Sequence, residues 1–479
     1  MLPRLLLVLV WLLPVPAMGD ETAMAPTTAV PEISQPFAPP LRMVMDIRSV
    51  HSDGRHDLEA LAAMAEARGI GVLGVNDHDR FTIRLGVDPI PQMLGYSRQQ
   101  PSLYESGVES FLTDIVRLRQ RHPELLVLAG TESTPGYHWS GIPFRDLTLH
   151  DAERHIITLG AETPQQIESL PSFDLRNIHG SRELSLAFWF VVALLLLIVL
   201  RRHGRLATVL VAAVVVLAVI ALLRKPADAD AEFLKVATDE GLFTAWAHPG
   251  TLSGQRPGPM GVQLDTPPYS ARVFSQPTAE AFAAVYGDTD SNTEPGARWD
   301  RYLLDYLHGR QPAPVWGIAA GDFHVQGEAN EYLGNYPMDV WATAKTAAAV
   351  LQALRDGRCV AWGMPQARNI RVAELYLKPV SGAPLLPGGS VATITSPIEL
   401  VARLAEQDTG LQPAEQPALL KGEWVVDGKV ASSVELPVNG EAVRLPLDLA
   451  PGVHAVRLHI PMQAGIRMEA NPFLVRVSL

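Results

Sequence analysis

Residues 43–54, MVMDIRSVHSDG, and residues 70–79, IGVLGVNDHD, contain the pattern that decides the fold. Each begins as a short apolar run of strand length and ends in acidic residues and histidine. Between them, the apolar residues of 57–68 recur at i, i+3, i+4 and i+7, which is the stripe of a helix packed on a core. A strand, an amphipathic helix and a second strand in this order predict a β-α-β unit with parallel strands.

The same alternation continues along the chain. Further strands are predicted at residues 125–129, 155–159, 242–247 and 315–320, and helices at residues 108–121, 229–240, 299–308 and 344–356. Repeated units of this kind imply a parallel sheet, closed or open, whose catalytic residues lie at the C-terminal ends of the strands. Over residues 366–479 alternating runs separated by Gly, Pro, Asn and Asp replace the helical patterns, which predicts a C-terminal β-sandwich domain.

Composition narrows the chemistry that the chain can perform. Its 39 basic and 51 acidic residues give a net charge of −12 without a long basic run, which argues against a nucleic-acid partner. The single cysteine, Cys359, excludes an internal disulfide and a thiolate metal cluster. A metal in this protein must therefore be held by histidine and carboxylate side chains.

The N-terminus has the pattern of a secretory signal. Arg4 precedes an apolar run at residues 5–13, and small residues near Gly19 suit a cleavage site, so residues 1–19 are predicted to be a signal peptide. The run reaches only about 14 Å as a helix, less than the ~30 Å hydrocarbon core of a bilayer. An uncleaved anchor is the alternative. Residues 20–40, rich in Pro, Thr and Ala, are predicted to be a tether.

Residues 184–223 contain two apolar runs without a charge, joined by a short segment that includes Arg201, Arg202 and Arg205. They predict an inserted transmembrane hairpin, with buried core helices as the alternative. The positive-inside rule places the arginines in the cytoplasm and both flanks outside. Together with the signal peptide, this predicts a bacterial inner-membrane protein whose catalytic domain lies on the periplasmic side.

Histidine and acidic residues cluster at the ends of the predicted strands. The clusters are His51-Ser52-Asp53-Gly54, Asn76-Asp77-His78-Asp79, Glu132, His155, His248 and Asp322-Phe323-His324. Neutral imidazoles combined with carboxylates suit Zn²⁺, Mn²⁺ or Fe²⁺, and such cations acidify water and bind phosphoryl oxygens. The sequence therefore predicts a metal-dependent hydrolase.

In this order, HSDG, NDHD, the Glu of AGTES, HIITLG, AHPG and GDFH resemble the PHP (polymerase and histidinol phosphatase) superfamily, in its secreted and membrane-associated form. The resemblance covers residues 43–363, interrupted by the hairpin. It implies a distorted (β/α)7 TIM-like barrel over residues 41–365, with two or three metals and phosphoesterase activity. Position by position, it implies one site of Asp53, His78 and His324, a second of Glu132, His155 and His248 with Glu132 bridging, and a third using Asp322 with Glu132.

The third site departs from the family pattern. Its remaining ligands are a His-x-His pair on the first strand, and here Asp46 and Arg48 stand at those positions. Asp46 retains a ligand oxygen, but the guanidinium of Arg48 stays protonated and cannot bind a metal. The hypothesis is that Arg48 places its charge where a third metal would lie, leaving two metals per chain. A catalytically decayed barrel that serves as an envelope binding or scaffold protein is the alternative.

The predicted reaction is phosphoester hydrolysis by a metal-bridging hydroxide, with hydrolysis of a carbamate or another ester left open. The catalytic candidates are Glu132, Asp322, His324 and Arg48, and either Asp79 or His324 would protonate the leaving group. Arg80 and His138 are candidates for substrate binding, with a surface ion pair as the alternative for Arg80. His51 could instead supply a ligand to the first site. The expected substrate is a small-molecule or lipid-derived phosphate ester.

Overall fold

The computed structural model describes residues 36–91, 93–172, 180–200, 204–223, 228–276, 278–287, 292–364, 369–406 and 417–478. The predicted signal peptide of residues 1–19, most of the predicted tether, and Arg201 and Arg202 lie outside the described residues. The predicted domain boundary at residues 365 and 366 also lies outside them.

Fifteen strands and ten helices precede the C-terminal part of the chain. The strands are β1 (Leu41–Ile47), β2 (Val72–His78), β3 (Thr82–Gly86), β4 (Gly95–Gln99), β5 (Leu126–Ser133), β6 (His138–Ser140), β7 (Thr148–His150), β8 (Ile156–Leu159), β9 (Phe243–Trp246), β10 (Gln255–Pro257), β11 (Gln263–Asp265), β12 (Ala281–Val285), β13 (Trp316–Ala319), β14 (Met338–Val340) and β15 (Cys359–Gly363). The helices are α1 (Leu58–Glu66), α2 (Leu103–Ser106), α3 (Val108–Arg121), α4 (Pro164–Glu168), α5 (Arg182–Val199), α6 (Gly204–Leu223), α7 (Ala229–Asp239), α8 (Ser270–Val273), α9 (Arg298–Leu307) and α10 (Ala347–Arg355). These counts refer to the described ranges.

The main sheet has the order β13-β12-β9-β8-β5-β2-β1-β14-β15 in this part of the chain. Strands β1, β2 and β5 are parallel, as are β9, β12 and β13, whereas β8 is antiparallel to both β5 and β9. Just beyond β13, the Gly321 and Phe323 N–H groups donate to the carbonyls of Met45 and Asp46, each at 3.0 Å. The mixed α/β fold is confirmed, but the antiparallel β8 departs from a regular (β/α)7 barrel, and a TIM-like barrel is not shown.

This topology brings the strand-end clusters to one edge of the sheet. The C-terminal ends of β1, β2, β5 and β9 meet there, together with the segment after β13. Because β8 runs in the opposite direction, its beginning lies at this edge, where Ile156 pairs with Ser133 of β5. His155 directly precedes β8. It therefore lies beside the residues at the C-terminal ends of the neighbouring strands β5 and β9.

The predicted helix α1 shows how the sheet is covered. Asp57 caps the helix by accepting a hydrogen bond from the Ala60 N–H, and Leu58, Leu61 and Ala65 face the core. Burying a leucine side chain contributes about 1.5–3 kcal/mol. The i, i+3, i+7 spacing is therefore confirmed as the core-facing stripe of this helix.

The C-terminal residues form a second apolar core between two sheets. Their strands are β16 (Ile370–Pro379), β17 (Ala392–Ile394), β18 (Ile398–Glu406), β19 (Leu419–Val426), β20 (Lys429–Pro437), β21 (Asn439–Leu447), β22 (Gly452–Gln463), β23 (Ile466–Ala470) and β24 (Phe473–Val477). Strands β16, β18 and β21 form one sheet, and β23, β22, β19 and β20 continue the main sheet through pairing of β15 with β23. C-terminal strands are thus present as predicted, but they share a sheet with the strands that carry the site.

Helices α5 and α6 are long and apolar enough to cross a membrane. Most of their side chains are exposed, so they are not the buried core helices of the alternative interpretation. The helix α5 also contacts the rest of the chain. The Trp189 indole N–H donates to the Asp88 carbonyl at 2.7 Å, and the Asp88 N–H donates to the Ser185 hydroxyl at 2.9 Å.

A buried charge network joins α9 to the C-terminal strands. Arg457 on β22 is almost fully buried and pairs with Asp300 of α9 at 2.8 Å and with Glu469 of β23 at 3.1 Å. It also donates to the Thr293 carbonyl at 2.6 Å. Removing one partner of such a pair leaves a buried charge without compensation, which costs more than the pair itself contributes.

We predict that Arg457→Met lowers the free energy of unfolding by about 3–5 kcal/mol, because Asp300 remains buried and charged after losing the cation that it pairs with. Glu469 keeps His459 at 3.0 Å and Arg467 at 3.2 Å. Urea unfolding in detergent, followed by tryptophan fluorescence, measures this change. Arg444→Met is the matched control, since Arg444 pairs with Glu399 at 3.0 Å on a partly exposed surface and should contribute less than ~1 kcal/mol. Equal effects of the two substitutions would contradict the prediction.

Candidate metal centre

A cavity of about 820 Å³ opens at the edge of the sheet where the strand-end clusters meet. Of the eight residues predicted to bind metal, all except Asp46 line this cavity: Asp53, His78, Glu132, His155, His248, Asp322 and His324. They come from six separate places in the main sheet. The structure therefore brings together side chains that are far apart in the sequence.

The first group surrounds Glu132, which is almost completely buried in β5. Its carboxylate oxygens lie 3.0 Å from His155 Nδ1 and 3.6 Å from His248 Nε2. The two imidazole nitrogens are 3.0 Å apart. The three side chains can each offer one atom to a common ion, since these atoms lie within 4.8 Å of one another.

The second group surrounds Asp53, in the loop after β1. Its Oδ2 lies 3.7 Å from His78 Nε2 and 3.5 Å from His324 Nε2. The Nδ1 atoms of these histidines face the backbone carbonyls of Glu132 at 3.2 Å and Asp322 at 2.8 Å. A histidine that donates its Nδ1–H to a carbonyl has Nε2 available to bind a cation. In both rings Nε2 lies on the side of the Asp53 carboxylate, so the three side chains could bind one ion together.

Glu132 connects the two groups, because its Oε2 is also 3.8 Å from His78 Nδ1. It is the one carboxylate among the described ligand residues that faces histidines of both groups. A carboxylate between two groups of imidazoles could bridge two cations, and the bridging role of Glu132 stays a prediction of the resemblance.

Arg48 lies beneath the two groups and is fully buried. Its Nη1 pairs with Asp46 at 2.7 Å, and its Nη2 pairs with Glu132 and, at 3.2 Å, with Asp322. Those three carboxylates would otherwise form a cation site of their own, since each offers an oxygen within 4.8 Å of the others. Burial lowers the pKa of Arg48, but the surrounding carboxylates raise it well above its ordinary value, so the guanidinium stays charged.

Asp46 holds this guanidinium rather than facing the cavity. Its Oδ1 accepts from Arg48, and its Oδ2 accepts from the Asp322 N–H at 3.1 Å. Both aspartates adopt left-handed backbone conformations, with φ of 66° for Asp46 and 45° for Asp322. Aspartate tolerates this region better than most residues, but it is uncommon, and such geometry is concentrated at functional sites.

The acidic surroundings alter the protonation of the histidines. Burial lowers the pKa of His248 and His324, but the nearby carboxylates of Glu132 and of Asp53, respectively, outweigh it and raise the two pKa values to about 9 and about 11. Burial and Arg48 lower the pKa of His78 to about 4. Two imidazoles therefore carry protons that compensate the carboxylates when a cation is absent.

The residues fit a divalent cation. Glu132 Oε1, His155 Nε2 and His248 Nδ1 are buried and have no hydrogen-bond partner within the described part of the chain. Unpaired buried polar atoms are rare in folded proteins and call for an ion or water. Imidazole nitrogens together with carboxylate oxygens are the donors that Zn²⁺, Mn²⁺ and Fe²⁺ bind.

The two predicted substrate-binding residues lie outside the cavity. The guanidinium of Arg80 rests over the ring of Tyr104, 3.9 Å from its centroid. His138 is stacked on His150, with ring centroids 4.6 Å apart. Side chains alternate between the faces of a strand, and the neighbouring Trp139 takes the inward position, so His138 is turned to the outer face.

Two further sequence candidates are also placed away from the cavity. His51 lies 3.4 Å from Asp114 of α3, so it does not supply a ligand to the Asp53 group. Asp79 is buried, which raises its pKa to about 6, but it does not line the cavity. Of the two candidate proton donors to the leaving group, only His324 lines the cavity, and its Nδ1 is held by the Asp322 carbonyl.

Sequence reasoning missed Tyr286 and Glu331. Tyr286 follows β12, a strand that the sequence analysis did not predict, and its hydroxyl donates to Asp322 Oδ2 at 2.8 Å. The apolar run of β12 followed by a polar side chain was the available signal. Glu331 accepts from the N–H groups of His324 and Val325 at 3.0 and 2.9 Å. It lies in a loop after β13, where no sequence pattern indicated it.

Comparison with known proteins finds only distant structural similarity. No family model matches the chain, and no curated protein matches it. Among solved structures, it is similar to a two-domain protein of Bacteroides vulgatus containing a predicted PHP-like metal-dependent phosphoesterase, with 13% identity, coverage of 91% of this chain and 95% of that one, and a TM-score of 0.37. It is also similar to a proposed metal-dependent phosphoesterase of Bifidobacterium adolescentis, with 15% identity, coverage of 61% and 91%, and a TM-score of 0.29. At these TM-scores, function has to be inferred from the site itself.

We predict that metal binding releases protons and tightens as the pH rises from 6 to 8. His248 and His324 have raised pKa values, so both are protonated in this range without a cation, and a ligand imidazole must lose its proton. Calorimetric titration with Mn²⁺ in buffers of different ionisation enthalpy counts the protons released. His138→Ala should release the same number, and an affinity independent of pH would refute the prediction.

Proposed function

We propose that this chain is a metal-dependent hydrolase of the PHP superfamily, and specifically a phosphoesterase. The observation that supports it best is Glu132, a buried carboxylate between two groups of imidazoles at the floor of an open cavity. Asp53, His78 and His324 would hold one cation. Glu132, His155 and His248 would hold a second.

Cations at these two positions would lower the pKa of a water molecule and bind the oxygens of a phosphoryl group, which is the chemistry that phosphoester hydrolysis needs. Two neighbouring cations of this kind would stabilise both the attacking and the leaving oxygen of an in-line displacement at phosphorus. Hydrolysis of a carbamate or carboxylic ester is the alternative that the same donor set allows.

Asp322 is the side chain best placed to accept a proton from the attacking water. It lines the cavity, while Arg48 and the Tyr286 hydroxyl each hold one of its oxygens. Burial and Glu132 raise the pKa of Asp322, but Arg48, together with His324 and His248, outweighs them, so it is lowered overall. The charge of Arg48 persists when the histidines lose their protons to bind cations. The carboxylate is therefore ionised and fixed in orientation before substrate arrives.

Arg48 acts as a positioning residue. It does not line the cavity and contacts Glu132 and Asp322 from below. Its fixed charge neutralises these carboxylates where a third cation would otherwise be needed, which supports two cations per chain. The convergence of seven ligand residues on one cavity favours catalysis over a decayed binding or scaffold protein.

The proposed location is a bacterial inner membrane, with the catalytic domain on the periplasmic side. The outward-facing apolar helices α5 and α6 support a membrane hairpin. The signal-like N-terminus and the arginine-rich connection between the helices support the orientation.

We predict that the detergent-purified protein hydrolyses p-nitrophenyl phosphate or its diester analogue, and that Glu132→Gln and His248→Ala reduce kcat at least 100-fold. Each substitution removes a ligand, so the metal content measured by mass spectrometry should fall in parallel. His138→Ala is the matched control and should keep both activity and metal. Hydrolysis of carboxylic esters or carbamates, but not of phosphate esters, would contradict the assignment as a phosphoesterase.

The role of Arg48 predicts the number of cations. The wild-type protein should bind two Mn²⁺ ions per chain. The double variant Asp46→His and Arg48→His, which restores the ligand pair of the family, should bind a third, because Asp322 and Glu132 are then freed from the guanidinium. Metal analysis after dialysis measures both numbers, and three ions in the wild type would refute this role.

A further inference from the structure

The cavity is much larger than a phosphate group requires. Its volume of about 820 Å³ is near the upper end for small-molecule sites. The metal-ligating residues lie on its floor. Its upper wall is formed by apolar side chains of β3, β6, β7 and β11: Ile83, Trp139, Leu149 and Leu264, with Phe81.

This apolar wall is attached to the membrane hairpin. Gly141, directly after β6, accepts a hydrogen bond from the Ser181 hydroxyl and donates its N–H to Glu183 at 3.1 Å, both at the start of α5. On the other side, the loop between β3 and β4 packs Val87 against Trp189 of α5. The upper part of the cavity therefore adjoins the point where the first apolar helix begins.

Exposed aromatic residues border the same part of the cavity. Phe144 is fully exposed, and Tyr96 is about three-quarters exposed (74%), although both line the cavity. Phe144 also has a left-handed backbone conformation, with φ of 67°. A bulky residue rarely adopts this region, and such conformations are concentrated at functional sites. Tyrosine is one of the two residue types enriched at lipid–water interfaces, which fits the exposed ring of Tyr96.

We propose that the substrate is a membrane lipid with a phosphomonoester head group, whose hydrocarbon chain lies along the apolar wall while the head group reaches the metal centre. This inference rests on the proposed function. An apolar wall of this size favours a chain over a hydrophilic substrate, and each methylene buried there tightens binding by up to about fourfold.

The reaction on such a lipid is a hydrolysis. The oxygen of water bonds to phosphorus, and the ester P–O bond breaks. One proton of the water passes by way of Asp322 to the leaving alkoxide. Inorganic phosphate leaves to the aqueous side, and the lipid alcohol returns to the membrane beside α5.

The experiment compares two phosphomonoesters of glycerol that differ only in their chains. The full chain is reconstituted into phosphatidylcholine vesicles with Mn²⁺, and phosphate release is measured from dioleoyl phosphatidic acid in the vesicle and from soluble glycerol 3-phosphate. We expect kcat/KM to be at least 100-fold higher for the lipid. The double variant Tyr96→Ser and Phe144→Ser should reduce the ratio of the two values at least tenfold.

Val380→Ser is the control, because Val380 is an exposed apolar residue (74%) that does not line the cavity. It should leave both rates unchanged. Preference for glycerol 3-phosphate, or equal loss of both rates in the double variant, would overturn the inference. Hydrolysis of lysophosphatidic acid supplied free in solution, without hydrolysis of the vesicle lipid, would overturn the membrane source.

A binding measurement separates this inference from the proposed function. If neither ester is hydrolysed although p-nitrophenyl phosphate is, this inference fails and the proposed function stands. If none of the three esters is hydrolysed, the proposed function fails, and phosphatidic acid with brominated chains then tests the cavity directly. The fluorescence of Trp139 is obtained as the difference between wild type and Trp139→Phe. Brominated phosphatidic acid should quench it more strongly than brominated phosphatidylcholine does. Equal quenching by the two lipids would overturn the inference independently of turnover.

Discussion

The guanidinium of Arg48 is the charge on which the arrangement of the site depends. Asp46, Glu132 and Asp322 converge on it in the buried base of the sheet, where uncompensated carboxylates are costly. Because the guanidinium is planar and permanently charged, it fixes the directions of the carboxylates as well as neutralising them. A cation can be lost to a chelator, whereas this charge is part of the chain and stays with the carboxylates that it pairs.

Much of the site could be predicted from the sequence because its ligands follow strands. Glu132, His248 and Asp322 each stand where an apolar run ends, and such ends meet at one edge of a sheet whatever its closure. The place of Arg48 followed from chemistry, since a guanidinium cannot take the role of the imidazole it replaces. Sequence position was therefore sufficient to bring seven of the eight candidate ligands to one cavity, all except Asp46, whereas their division into sites came from the family resemblance.

Other features depend on information that a sequence pattern does not carry. The direction of β8 is not encoded in its four buried residues, because a short buried run has the same pattern in either direction. Tyr286 was missed since β12 is short and buried on both faces. The side chains of Arg80 and His138 could not be placed, because their direction is set by what packs beside them, an aromatic ring in one case and the inward-facing Trp139 in the other.

The apolar hairpin is inserted in the chain between two neighbouring strands of the sheet, and this has a consequence for biosynthesis. His155 and His248 flank β8 and β9, which are direct partners in the sheet, yet α5 and α6 separate them along the chain. In a chain that crosses a bilayer at each of these helices, the two histidines reach the same compartment only after an even number of crossings. Failure of one helix to insert would strand half of the metal centre on the opposite side. Only molecules in which both helices are inserted could then assemble the complete centre. Its assembly would therefore depend on the correct membrane topology.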